Sequence, residues 1–123
     1  MTSKIWLIDI DGTICEDIPN ESPELVKSAS FYQDALTQIN KWYSNGDTIF
    51  FFTAGLEEHR DVTERWLLEN GFNYHGIIFN KPRITDNQTY HWIDNKPVRA
   101  TQFVGTFGDM IKANKTIEIF KKN

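Results

Sequence analysis

The chain has 123 residues, 40% of them apolar, and a formal net charge of −4. That length suits one hydrophobic core, and the acidic balance with no basic stripe argues against a nucleic-acid partner. A single cysteine, Cys15, excludes an internal disulfide; three scattered histidines lack zinc-ligand spacing; and no apolar run approaches the ~20 residues of a membrane span.

Ile5 to Ile10 (IWLIDI) is a short β-branched run of the kind that forms a strand buried on both faces of a parallel sheet. The apolar run then meets Asp9 and Asp11, which a signal peptide would not carry, so a cytoplasmic protein is expected. Residues 15 to 30 contain Pro19 and Pro23 and read as loop. Ser30 and Gln33 match a capping box. Behind it, Tyr32, Ala35, Leu36, Ile39, Trp42 and Tyr43 recur at helical spacing, and Asn45-Gly46 ends the helix.

Thr48 to Thr53 (TIFFFT) predicts a second buried strand. Residues 57 to 70 predict a second helix with Val62, Trp66 and Leu67 inward and Gly71 as its stop. Gly76 to Phe79 predicts a third strand and Tyr90 to Asp94 a fourth, with short helical turns after Pro97. For residues 103 to 123 the expectation is an edge strand and a final helix. Alternating strands and helices imply an α/β fold, a three-layer Rossmann-like parallel sheet with helices on both faces, in one domain over residues 1–123. Ligands bind such sheets beyond the carboxyl ends of the strands. Asp9 and Asp11, Thr53, Lys81 and Asp94 stand at the four expected ends.

These residue types suit phosphate chemistry. Residues i and i+2 of an extended chain point the same way, so Asp9 and Asp11 can face one site, and Gly12 permits the turn after them. Close carboxylates repel, and a divalent cation offsets that repulsion; oxygen-only ligands suit Mg²⁺. One acid can attack phosphorus while the other carries a proton. The alternative is a solvated Asp-Gly turn. Thr53, Ala54 and Gly55 offer a hydroxyl and backbone N–H groups to phosphate, or Thr53 caps the next helix. Lys81 either neutralises phosphate oxygens or is a surface lysine. Asp94 and Asn95 either hold the cation and a metal-bound water, or form a turn before Pro97. Gly12, Thr13 and Arg60 are further candidates for substrate contact, although Arg60 also has Glu64 one helical turn away. Cys15, His75 and His91 read as structural.

The run DIDGT resembles the first motif of the haloacid dehalogenase superfamily of phosphohydrolases. FFFTA resembles its second, FNKP its third and WIDN its fourth, in that order over residues 5 to 95. A closer likeness is to small bacterial phosphatase-like proteins encoded with capsule or surface-polysaccharide genes, whose pattern carries DIDGTIC, GKP and a YIDDK-like end. The resemblance implies Asp9 as nucleophile, Asp11 as general acid and base, Thr53 and Lys81 as phosphate partners, and Asp9, Asp11, Asp94 and Asn95 around Mg²⁺. Two positions depart from it: Asn80 replaces the glycine before the lysine, and Asn95 replaces the second acid of the fourth motif. The gaps between motifs leave no room for a cap domain, which suits a large substrate or a neighbouring copy of the chain as lid. A phosphatase acting on a phosphomonoester, such as a sugar phosphate or surface-polysaccharide precursor, is therefore expected. The alternatives are a non-hydrolytic phospho-acceptor or a degenerate binding or scaffold protein on the same fold.

Overall fold

The computed structural model describes residues 3–17 and 29–102. The chain divides into two units, Met1–Arg83 and Ile84–Asn123. In the first, strands β1 (Ile5–Ile8), β2 (Thr48–Phe52) and β3 (Gly76–Ile78) form a parallel sheet in the order β1-β2-β3. Helix α1 (Gln33–Ser44) joins β1 to β2. A 3-10 turn (Glu57–His59) and helix α2 (Arg60–Glu69) join β2 to β3.

The register pairs Ile5 with Thr48, Leu7 with Phe50 and Phe52 with Ile78, which places these residues on one face of the sheet. Trp6, Ile8, Ile49, Phe51 and Ile77 lie on the other. Both crossovers advance in the same direction along the sheet, and right-handed connections then put both helices on one face. That face belongs to Ile8, Ile49 and Phe51, which are buried together with Ala35 and Ile39 of α1, Trp66 and Leu67 of α2, and Phe72. The Phe72 ring meets Phe51 edge-on at 6.1 Å and stacks on Trp66 at 5.7 Å. Fully burying such side chains contributes roughly 1.5–3 kcal/mol each, so this layer is the core of the unit.

Several expectations are corrected. β1 is not buried on both faces: Ile5 is 74% exposed, because among the described residues helices cover one face of the sheet only. The Ser30 capping box does not form. Tyr32 is the N-cap of α1 with no side-chain cap bond, while the Ser30 N–H donates to Glu16 Oε1 at 3.1 Å. No fourth strand forms over Tyr90 to Asp94; Trp92 and Ile93 are exposed there, and no helical turn follows Pro97 up to residue 102. The edge strand and helix expected in 103–123, and most of the 15–30 loop, lie outside the described residues. No helix among the described residues is long and apolar enough to cross a membrane.

Polar side chains fix the amino ends of the strands. Asp47 accepts from Trp6 Nε1 (2.9 Å) and Lys4 N–H (3.0 Å), and Trp6 stacks on Trp42 at 3.7 Å. His75 extends the ladder beside β2, since its N–H donates to the Ile49 carbonyl (2.8 Å) and its Nδ1 accepts from the Ile49 N–H (3.0 Å). This is the structural role expected of His75. Gly76 is required by close approach: a Cβ there would come within 2.6 Å of the Phe50 ring.

Candidate active site

At the carboxyl end of β1 the chain leaves the sheet at Asp9 and turns through Gly12, whose φ of 78° suits glycine. The turn is closed by Thr13 N–H and Ile14 N–H donating to the Ile10 carbonyl and by Gly12 N–H donating to the Cys15 carbonyl. Cys15 is buried beneath it, and burial pushes its thiol up to about 12, so it stays protonated and inert. The turn leaves Asp9, Asp11 and Thr13 partly exposed at the sheet's end, and the Thr13 hydroxyl donates to Asp9 Oδ2 at 3.3 Å.

Lys81, which follows β3, sends its ammonium to 3.9 Å from Asp9 Oδ1; its side chain is only 17% exposed and passes over the Phe52 ring at 5.3 Å. Burial raises the Asp9 carboxyl above its ordinary value, against the lowering pull of Lys81 and the Thr13 hydrogen bond. Among the described residues no cation lowers Asp11 in the same way. Burial, followed by repulsion from Asp9 and then Asp17, pushes it up to about 6. One carboxylate thus faces a cation while its neighbour holds a proton more readily, which is the division of roles that two-step acid–base chemistry needs.

Thr53 is buried at the end of β2 between the other two strand ends. Its hydroxyl accepts the Gly55 N–H at 3.1 Å, shaping the Thr53-Ala54-Gly55 turn, and it does not cap α2. The Gly55 N–H is therefore engaged inside the turn. The first unit brings Asp9, Asp11, Gly12, Thr13, Thr53 and Lys81 to one end of the sheet.

Arg60 takes the structural alternative. Its guanidinium donates to Glu57 (2.6 and 2.9 Å) and Glu64 (2.9 Å) and lies 4.7 Å from the centre of the Phe79 ring. These partners raise its already high pKa and engage its Nε and both terminal nitrogens. Asp94 and Asn95 belong to the second unit. There the Asp94 carboxylate accepts from Trp92 Nε1 (3.2 Å) and from the Lys96 N–H (3.0 Å), a local turn before Pro97, and these bonds hold it below the usual carboxylate range. No group of three or more His, Cys, Asp or Glu placed to hold a metal ion occurs among the described residues.

Two residues near this end make contacts beyond what the sequence analysis assigned them, Asn80 having been noted there only as a departure from the resembling pattern. Asp17 packs beside Gly12, with its carboxylate close to where a Cβ would stand, and adds charge next to Asp11. Asn80 has φ 63°, and its Oδ1 accepts the Glu57 N–H at 3.2 Å. The replacement of glycine by asparagine was the signal for the latter, because asparagine is among the few residues that enter the left-handed region readily.

No family model and no curated protein matches the chain. Several solved structures resemble it, among them the following. One is a crystal structure from Vibrio cholerae, 20% identical, with a TM-score of 0.57 over 78% of this chain and 83% of that one. A chain of the Pnkp1/Rnl/Hen1 complex is 16% identical with a TM-score of 0.56, and one of the Pnkp1/Rnl/Hen1 RNA repair complex is 17% identical with a TM-score of 0.55. Each match covers 71% of this chain, which spans only 30% and 27% of those longer chains. At such identities the likeness is one of fold, a small α/β arrangement of Rossmann-like type built on a parallel sheet.

Proposed function

We propose that the chain is a Mg²⁺-dependent phosphohydrolase that cleaves a phosphomonoester through an aspartyl-phosphate on Asp9. The observation that carries this reading is the pairing of Asp9 with Lys81 at 3.9 Å, next to an Asp11 whose carboxyl is pushed up to about 6. The order of DIDGT, FFFTA, FNKP and WIDN supports a capless haloacid dehalogenase type.

In the first step an Asp9 oxygen attacks phosphorus and the bond from phosphorus to the ester oxygen breaks. Asp11 gives its proton to that leaving oxygen. In the second step Asp11, now a carboxylate, takes a proton from water as the water oxygen attacks phosphorus. The bond to Asp9 breaks, releasing inorganic phosphate. Lys81 and the Thr53 hydroxyl hold phosphoryl oxygens and stabilise the charge that develops on them. Lys81 also favours the ionised form of Asp9, against the raising effect of burial.

Asp9 and Asp11 fit Mg²⁺ by donor chemistry: two partly buried, mutually repelling oxygen donors, for an ion commonly held by one or two carboxylates and a substrate phosphate. Bound there, the ion would neutralise phosphoryl charge. The substrate class favoured by the resemblance is a sugar phosphate or surface-polysaccharide precursor. An RNA end is less favoured, since the chain is acidic overall and has no basic stripe.

A second reading, a binding protein with a degenerate site, draws on Asn95 and on the local turn that engages Asp94. A phosphatase screen over a metabolite panel, with and without Mg²⁺ and with Asp9→Asn as control, separates the two. Turnover lost in Asp9→Asn supports the hydrolase; turnover that persists in Asp9→Asn rejects it.

A further inference from the structure

Asn80 stands between two pieces of the candidate site without belonging to either. Its own N–H donates to the Gly55 carbonyl at 2.8 Å, and the next N–H, that of Lys81, donates to the Thr53 carbonyl at 2.9 Å. Its side-chain Oδ1 accepts the Glu57 N–H at 3.2 Å, at the start of the 3-10 turn leading into α2. These three bonds tie the loop after β3 to the loop after β2. The left-handed backbone at Asn80 (φ 63°) bends the chain just before Lys81, whose ammonium reaches Asp9.

A residue with Cβ pays a steric penalty at that φ unless its short polar side chain bonds locally, which asparagine does here. Glycine would reproduce the bend but not the side-chain bond. Asparagine therefore adds something that the glycine of the resembling pattern lacks: an acceptor that satisfies the Glu57 N–H and fixes the Thr53–Glu57 loop against Lys81.

We infer that Asn80 is a positioning residue, which locks Lys81 and the Thr53–Gly55 turn into one rigid unit so that ammonium and hydroxyl meet the same phosphoryl group. Its catalytic consequence rests on the function proposed above; its structural consequence does not.

The test uses three variants of the full chain. Asn80→Asp keeps the acceptor and a tolerance for the left-handed bend. Asn80→Gly keeps the bend alone, and its backbone freedom lets it fold. Asn80→Ala loses both. Amide hydrogen exchange is read at Glu57 and Lys81, and kcat and KM are read with p-nitrophenyl phosphate and Mg²⁺. Exchange at Glu57 is expected to quicken about tenfold in Asn80→Gly, the size of one lost hydrogen bond, and at both amides in Asn80→Ala, with Phe51 unchanged. On the same scale kcat falls about tenfold in Asn80→Gly and further in Asn80→Ala while KM holds, and Asn80→Asp restores both readouts. Unchanged exchange at Glu57 and Lys81 in Asn80→Ala overturns the inference, whatever the activity. Wild-type kcat in a folded Asn80→Ala, with Asp9→Asn inactive, overturns its catalytic part and leaves the hydrolase standing. Turnover that survives in Asp9→Asn instead removes the hydrolase reading, and the exchange data alone then decide the clamp.

Discussion

Lys81 holds its ammonium 3.9 Å from an Asp9 oxygen, although the two residues come from different strand ends and lie 72 positions apart in the chain (81 − 9). The ammonium lowers the Asp9 pKa against the raising effect of burial, so the pair sets the charge state of the proposed nucleophile. Lys81→Met should reduce kcat by about 100-fold, in line with the loss of a charged stabiliser from a protected site. It should also move the acidic limb of the kcat/KM profile to higher pH, because Asp9 loses the cation that favours its ionised form. A pH–rate profile of the variant checks both; an unmoved limb would mean that the two groups do not communicate.

Asp11 makes stability depend on pH. Its folded-state pKa of about 6 lies above the ordinary 3.8, so the folded chain binds the proton more tightly than the unfolded one. The stabilisation is complete below the unfolded value and is lost as pH rises through about 6. In metal-free buffer, Asp11→Asn should therefore be more stable than wild type at pH 8, by on the order of 1–2 kcal/mol, with the difference vanishing near pH 4. Urea melts in EDTA at the two pH values measure it. Added Mg²⁺ should stabilise wild type and leave Asp11→Asn less affected.

Arg60 is expected to be silent in catalysis. Its Nε and both terminal nitrogens are bonded to Glu57 and Glu64, so Arg60→Ala should leave kcat/KM within about twofold of wild type, as for surface substitutions away from a site. A tenfold rise in KM would return the residue to the substrate.

Gly76 tests the sheet. A methyl group there meets the Phe50 ring at 2.6 Å, and the ring must rotate away to admit it. Gly76→Ala should cost about 1–3 kcal/mol in an equilibrium urea melt, the range for forcing extra volume into a packed position. Gly76→Ala combined with Phe50→Ala should recover part of the loss, since the clash needs both groups.

Much of this arrangement was legible in the residues, for identifiable reasons. The runs IWLI, TIFFF and GII are apolar, short and bounded by turn residues, and each forms a strand. Ala35 and Ile39 in α1, and Trp66 and Leu67 in α2, sit at helical spacing and are buried as that spacing requires. Asp9 and Lys81 were expected at strand ends, and the parallel sheet puts those ends on the same side, flanking the end of β2. Other features depend on competing contacts that composition does not rank. Ser30 has the chemistry of a cap but is bonded to Glu16 instead, a competition no local window reveals. Tyr90 to Asp94 has strand-like composition, yet Trp92 and Asp94 bond to each other within one turn. The exposed face of Ile5 and Ile78 follows from crossover direction, which composition does not encode.

The central claim is a covalent bond between Asp9 and phosphorus. Enzyme turning over a phosphomonoester with Mg²⁺ can be quenched with borohydride, which reduces an acyl phosphate, and the peptide containing Asp9 then analysed by mass spectrometry. The account predicts homoserine at position 9 in the presence of substrate and unmodified aspartate in its absence. Steady hydrolysis with aspartate intact at position 9, and reduction at another carboxylate or at none, would contradict it.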